Sequence, residues 1–160
     1  MQTSNPLLLR LEIEALNAEF AYRIDHDQSD GVADLFIEDG IYGRSTGERS
    51  VGRAAIAETY RQRAARGART TRHLFTNLRL RPESERLVRG TVILTLFAED
   101  GVPPLPANPM LVADYDDVYV LCDDGRWRYR ERIITWLFTR PGAASPLALG
   151  RTAKADSVPR

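Results

Sequence analysis

The spacing of apolar residues changes character at Gly67, and that change restricts the chain to few folds. Before it the spacing is helical: Leu9, Ile13, Leu16, Phe20 and Ile24 recur every three to four residues, on one face of a helix running from Pro6 to about Asp25. Pro6 suits a first helical turn, with Ser4 or Asn5 before it as cap. A short second helix is predicted over Asp30 to Glu38, capped by Asp30 and closed by Asp39 and Gly40, with Ile41 and Tyr42 a brief strand behind it. Ile56 and Tyr60 mark the buried side of a third helix over Arg53 to Arg66. After Gly67 come four extended runs, Thr70 to Leu80, Leu87 to Phe97, Met110 to Cys122 and Trp127 to Leu137, rich in β-branched, leucine and aromatic residues. Their connections, RPESER, EDGVPPLPANP and DDG, carry no helical pattern, so the strands are expected to pair antiparallel. Helices followed by a curved antiparallel sheet make an α+β domain. With 160 residues there is room for one such domain, assigned to 1–140, and the Pro- and Gly-containing stretch 141–160 is expected to be a flexible tail.

Charge and cysteine content exclude several partners. The 22 basic residues balance the 22 acidic ones, so no net field draws the chain to nucleic acid or an anionic membrane. Arg61, Arg63, Arg66, Arg69 and Arg72 cluster, but only Tyr60 accompanies them; lacking a stacking platform for RNA, they read as a solvated helix end and loop. Cys122 is the single cysteine, so no internal disulfide forms, and Asp123 and Asp124 beside it disfavour a reactive thiolate. The opening MQTSNPLLLRLEIEAL lacks a secretion signal's basic start and apolar core, and no apolar run reaches the roughly 20 residues of a membrane span. A cytoplasmic location is expected. Gly43 to Gly47 matches the G-x-S-x-G nucleophile elbow, yet a turn follows it where that elbow requires a helix. Asp114, Asp116 and Asp117 have no histidine near them to complete a ligand set, and neither metal nor cofactor is expected.

Two titratable residues attract a chemical reading. Asp25 falls in the last helical turn, where the negative end of the helix dipole disfavours ionisation, so a raised pKa is expected, which suits a proton acceptor. Equally, Asp25, Asp27, Ser29 and Asp30 read as turn and cap residues. On the first long strand, alternation sets Thr71, His73, Phe75, Asn77 and Arg79 on one face. Arg72, Leu74, Thr76, Leu78 and Leu80 lie on the other, a core or subunit-interface face. His73 is either a satisfied strand histidine or part of a pocket wall. An aspartate at a helix end and a histidine on a sheet packed across it can form a dyad in which the acid fixes the imidazole tautomer.

The order of elements, with YRIDHDQSDGVADLFIEDGIY, RHLFTNLRL and DGRWRYRERIITW, resembles the SnoaL-like branch of the nuclear transport factor two-like (cystatin-like) superfamily, a cone-shaped α+β barrel. The likeness spans about residues 7 to 139 and is greatest to the scytalone dehydratase, hexachlorocyclohexane dehydrochlorinase and bile acid dehydratase group. It implies a lyase that needs no cofactor, with His73 as base, Asp25 as its partner and Tyr42 polarising the substrate through a water. An asparagine of that group falls near Asp116, whereas a second histidine falls on an apolar residue near Phe97. The pocket is expected between the long helix and the concave sheet, with Phe20, Phe75 and Tyr22 as aromatic walls for a small, cyclic, largely apolar substrate, and Arg132 as a candidate anchor for a carboxylate or enolate. An isomerase or cyclase using the same dyad, and a non-catalytic module like the β subunits of ring-hydroxylating dioxygenases, are the alternatives. The family habit of burying the sheet's outer face, with Leu74, Leu78 and Leu80 on it, implies a homo-oligomer, dimer or trimer.

Overall fold

A computed structural model of the protein describes residues 5–27 and 29–143. The tail expected over 141–160 lies, beyond 143, outside the described residues. Helix α1 spans Pro6–Asp25; the Asn5 side chain caps it by accepting from the Leu7 N–H at 3.0 Å. Leu9, Ile13, Leu16 and Phe20 are buried as their spacing predicts, and Asn17 is buried among them. A 3-10 turn, Ser29–Leu35, leads into strand β1, Phe36–Arg44, and the short β2, Arg49–Val51. Helix α2 follows over Arg53–Ala64. Strands β3 (Arg69–Ser84), β4 (Leu87–Asp100), β5 (Leu111–Leu121) and β6 (Trp127–Thr139) match the four predicted runs with small extensions.

The six strands form one open sheet in the order β2-β1-β6-β5-β4-β3, with α1 packed across β3 and β6. All pairs are antiparallel except β1 with β6, which is parallel. The helix predicted over Asp30 to Glu38 is therefore cut short, because the ladder to β6 begins at Phe36, opposite Tyr129. The two rings lie 5.0 Å apart, and this tertiary contact overrides local helix preference.

Two irregularities decide which side chains face inward. In β3 two residues, Asn77 and Leu78, oppose one in β4, Val92, a bulge with Asn77 in the left-handed region at φ 56°. Before it Thr71, His73 and Phe75 turn inward; after it Leu78 does, at 9% exposure, and Leu80 packs against the core. The expected outer face of Leu74, Leu78 and Leu80 is thus corrected: of the three only Leu74 is exposed. In β6 an extra residue at Arg130 lets Tyr129 and Arg132, three apart, both point into the core while Arg130 stays in solvent.

Candidate active site

Asp25 closes α1, and three donors from β3 converge on its carboxylate. The backbone N–H of His73 donates to Oδ2 at 2.8 Å, the Thr71 hydroxyl donates to Oδ1 at 2.7 Å, and Nδ1 of His73 lies 2.6 Å from Oδ1. Both partners of the dyad are nearly enclosed, with side chains 9% (His73) and 6% (Asp25) exposed. Burial pushes the Asp25 carboxyl up, but the hydrogen bond and charge of the His73 ring, its backbone N–H and Thr71 outweigh this and hold the pKa below the ordinary 3.8. The raised pKa expected from the helix dipole is therefore overturned: hydrogen bonds made to the ionised form at close range exceed a screened dipole. An ionised carboxylate only accepts, so Nδ1 carries the proton, and in the neutral ring Nε2 keeps its lone pair.

His73 forms part of the wall of a cavity of about 270 Å³. The sheet contributes Leu94, Leu96, Leu111 and Ile134 as its apolar floor, and Tyr42, Tyr60 and Tyr115 also line it. The hydroxyls of Tyr42 and Tyr115 are 3.2 Å apart, and the rings of Tyr42 and Tyr60 stack at 6.1 Å. The Tyr60 hydroxyl is buried and makes no hydrogen bond with the described residues. Burial first, then the neighbouring Tyr42, raises the pKa of Tyr60 and Tyr115 well above 10, so both remain hydrogen-bond donors at any physiological pH.

The family model for the SnoaL-like domain matches residues 5–133. The chain belongs to the SnoaL-like family. No curated protein matches it, but solved structures share its fold at low identity. A "Putative Scytalone Dehydratase" from Novosphingobium aromaticivorans is 20% identical with a TM-score of 0.74, covering 94% of this chain and 97% of that one. ActVI-ORFA from Streptomyces coelicolor is 22% identical with a TM-score of 0.70, covering 80% and 97%. The beta subunit of a "putative aromatic-ring-hydroxylating dioxygenase" from N. aromaticivorans is 16% identical with a TM-score of 0.69, covering 84% and 92%.

In this SnoaL-like domain His73 and Tyr42 both line the cavity and Asp25 contacts His73 without lining it, while other candidates lie elsewhere. Tyr22 is 50% exposed and stacks on His26 at 4.2 Å, on the outer side of the last turn of α1. Phe20 is fully buried in the core and does not line the cavity; Phe75 packs beside it at 6.4 Å, one layer behind His73. Asp116 is exposed on the outer face because β5 parity turns Tyr115 and Asp117 inward instead. Asp114, Asp116 and Asp117 accordingly do not share a face, and among the described residues no three His, Cys, Asp or Glu side chains cluster as a metal site.

Arg132 is fully buried, and its charge is already matched. Its Nε and one terminal nitrogen reach the Asp117 carboxylate, both at 3.0 Å, and the same terminal nitrogen donates to Asn17 Oδ1 at 2.6 Å. Tyr119 donates to Asp117 at 2.6 Å and Tyr129 to Asn17 at 2.7 Å, while the rings of Phe20, Tyr115 and Tyr129 surround the guanidinium at 4.2 to 4.4 Å. Burial opposes the charge on Arg132, but Asp117 and the surrounding hydroxyls raise its pKa, and the two-pronged geometry is that of a charged pair. The network ties α1 to β5 and β6 behind Tyr115; Arg132 does not line the cavity, and its other terminal nitrogen is buried with no hydrogen-bond partner among the described residues.

Sequence reasoning missed Tyr115, Tyr60, Thr71, Arg63 and Arg69 as cavity residues. Thr71 and Arg69 share β3 parity with His73, a signal that was available in the sequence. Tyr115 needed the parity of β5, and Tyr60 and Arg63 needed the docking of α2.

Proposed function

We propose that this SnoaL-like protein is a cofactor-independent lyase that eliminates water or halide from a small, cyclic, largely apolar substrate. The observation that carries the reading is the 2.6 Å contact between Asp25 and the His73 ring at the wall of a 270 Å³ cavity. Nε2 of His73 takes a proton from a carbon next to a carbonyl, and the C–H electron pair passes into an enolate. Tyr42 and Tyr115 donate to the enolate oxygen. The enolate then collapses to a new carbon–carbon double bond as the leaving group departs with its electron pair, and the proton on Nε2 converts departing hydroxide to water. Asp25 remains ionised throughout and stabilises the imidazolium that forms transiently.

A panel of cyclic β-hydroxyketones tests this, with enone absorbance as readout. His73→Ala and Asp25→Asn, both folded, are expected to lower turnover by roughly a hundredfold to ten-thousandfold. Turnover unchanged in both would sink the proposal. Exchange of substrate C–H for deuterium without loss of the leaving group would instead favour an isomerase or cyclase on the same dyad. The likeness to a dioxygenase beta subunit supports a second reading, a non-catalytic subunit. Under it the protein is inert alone and co-purifies with an oxygenase partner. We also infer a homo-oligomer, since Leu74, Leu137 and Phe138 are 49%, 54% and 70% exposed in the single chain. Light scattering should return two or three copies; a monomer refutes it.

A further inference from the structure

Two guanidinium groups sit at one end of the cavity with a single carboxylate between them. Arg63, in the last turn of α2, and Arg69, which opens β3, both line the cavity. Their side chains are only 14% and 15% exposed, so they are not the solvated helix end that sequence suggested. Both turn to Asp100, at 3.3 Å and 3.5 Å, and that acid is itself 76% exposed, hence well hydrated and a weak counter-charge. Remaining contacts are poor acceptors for a cation: Arg63 reaches the Gly67 carbonyl at 3.4 Å, and Arg69 reaches the Met110 sulfur at 3.2 Å. The Nε of Arg69 is buried with no hydrogen-bond partner among the described residues. Burial first and the neighbouring Arg69 second lower the Arg63 pKa, against the pull of Asp100, as expected where positive charge is under-compensated. Asp27, exposed in the loop after α1, also lines the cavity, and among the described residues it forms no ion pair with either arginine.

We infer that Arg63 and Arg69 form a subsite for a carboxylate carried by the ligand. Such a group offers the two planar acceptors that a guanidinium fork matches, and it supplies the acceptor that Arg69 Nε lacks. Arg69 and His73 are four residues apart on the same inward face, roughly 13 Å between Cα atoms at strand rise. The ligand is then elongated: an anionic end at the mouth and an apolar ring against Leu94, Leu96 and the tyrosines, with its reacting carbon at His73. The subsite deepens the lyase reading and rests on it for the identity of the ligand as substrate, while acid binding itself does not require turnover.

The test uses the full chain, with 2-naphthoate and its neutral isostere 2-naphthamide as probes, titrated by calorimetry. Wild type should bind the acid at least tenfold more tightly than the amide, with the preference shrinking as salt rises. Arg69→Gln and Arg63→Gln should each lose about tenfold for the acid and little for the amide. Asp100→Asn removes the competing carboxylate from an exposed position and should tighten naphthoate severalfold; it carries the test together with Arg63→Gln if Arg69→Gln does not fold. No binding of naphthoate at millimolar concentration, equal binding of acid and amide, or unchanged acid binding in the arginine variants overturns the subsite. His73→Ala should keep the acid preference, so loss of the lyase reading leaves the subsite standing, and loss of the preference leaves the dyad untouched.

Discussion

Replacing Asp25 by Asn tests the site with almost no change of shape, and its consequences follow from the three donors that meet there. The carboxylate accepts from His73 N–H, His73 Nδ1–H and the Thr71 hydroxyl. The backbone N–H of His73, which meets Oδ2, cannot give up its proton, so the amide oxygen takes that place and the NH₂ takes the place of Oδ1, facing both the Thr71 hydroxyl and Nδ1. The hydroxyl can rotate to accept, the imidazole accepts at Nδ1 by moving its proton to Nε2, and the nitrogen facing the cavity ceases to be a base. Hydrogen bonds to a charged acceptor contribute about 1.5–3 kcal/mol each and neutral ones about 1, so turning three charged bonds into neutral ones costs about 1.5–6 kcal/mol, and the middle of that range is roughly 10 °C in Tm for a domain of this size. Nitrogen-15 NMR of the imidazoles reads the tautomer directly, and His73→Ala separates the signal from that of His26, the only other histidine. Wild type should show the Nδ1–H form and Asp25→Asn the Nε2–H form. Finding Nε2–H in wild type, or the same tautomer in both, would refute the account of how the base is made.

Because the Asp25 pKa is lowered in the folded state, the unfolded chain binds its proton first as pH falls, so stability from this group is present above pH 3.8 and is lost below it. Denaturant midpoints measured from pH 6 to pH 3 should therefore fall more steeply for wild type than for Asp25→Asn; parallel curves would contradict the shift. Arg132→Met leaves Asp117 buried and uncompensated, and urea unfolding should show a loss of about 3–5 kcal/mol, whereas Arg132→Met with Asp117→Leu should recover much of it. Gly90→Ala puts a Cβ 2.8 Å from the Tyr119 ring, and urea unfolding should show a loss of about 1–3 kcal/mol from the overpacking. Tyr115→Phe removes a donor from the cavity without touching the dyad, so enolate-forming turnover should fall while the His73 tautomer stays as in wild type; a shifted tautomer would show the two to be coupled through the wall.

The helices and strands were legible because each obeys one clear period. Leu9 to Phe20 keep a helical stripe, and β4 alternates almost residue by residue, so both appear in the structure where the sequence placed them. Errors cluster where one residue is inserted. The bulge at Asn77 reversed the inward face of β3 beyond it, and the one at Arg130 brought Arg132 into the core, out of step with Arg130. Neither leaves a mark in composition, since an extra residue changes every later position by one and a polar residue in a bulge looks like any exposed strand residue.

Local residue preference and periodicity were enough to specify most element types and the α+β class; they singled out Asp25 and His73 only as candidates, and the resemblance supplied their pairing as a base and its partner. Distances between strands and helices were not specified, because they depend on how α1 and α2 dock on the sheet. That docking set three donors around Asp25 and reversed the direction of its pKa shift. It also enclosed Arg63 and Arg69, which in the sequence look like part of a solvated basic run, and it matched Arg132 to Asp117. Burial decides what a charge does, and burial is a property of packing between segments far apart in the chain.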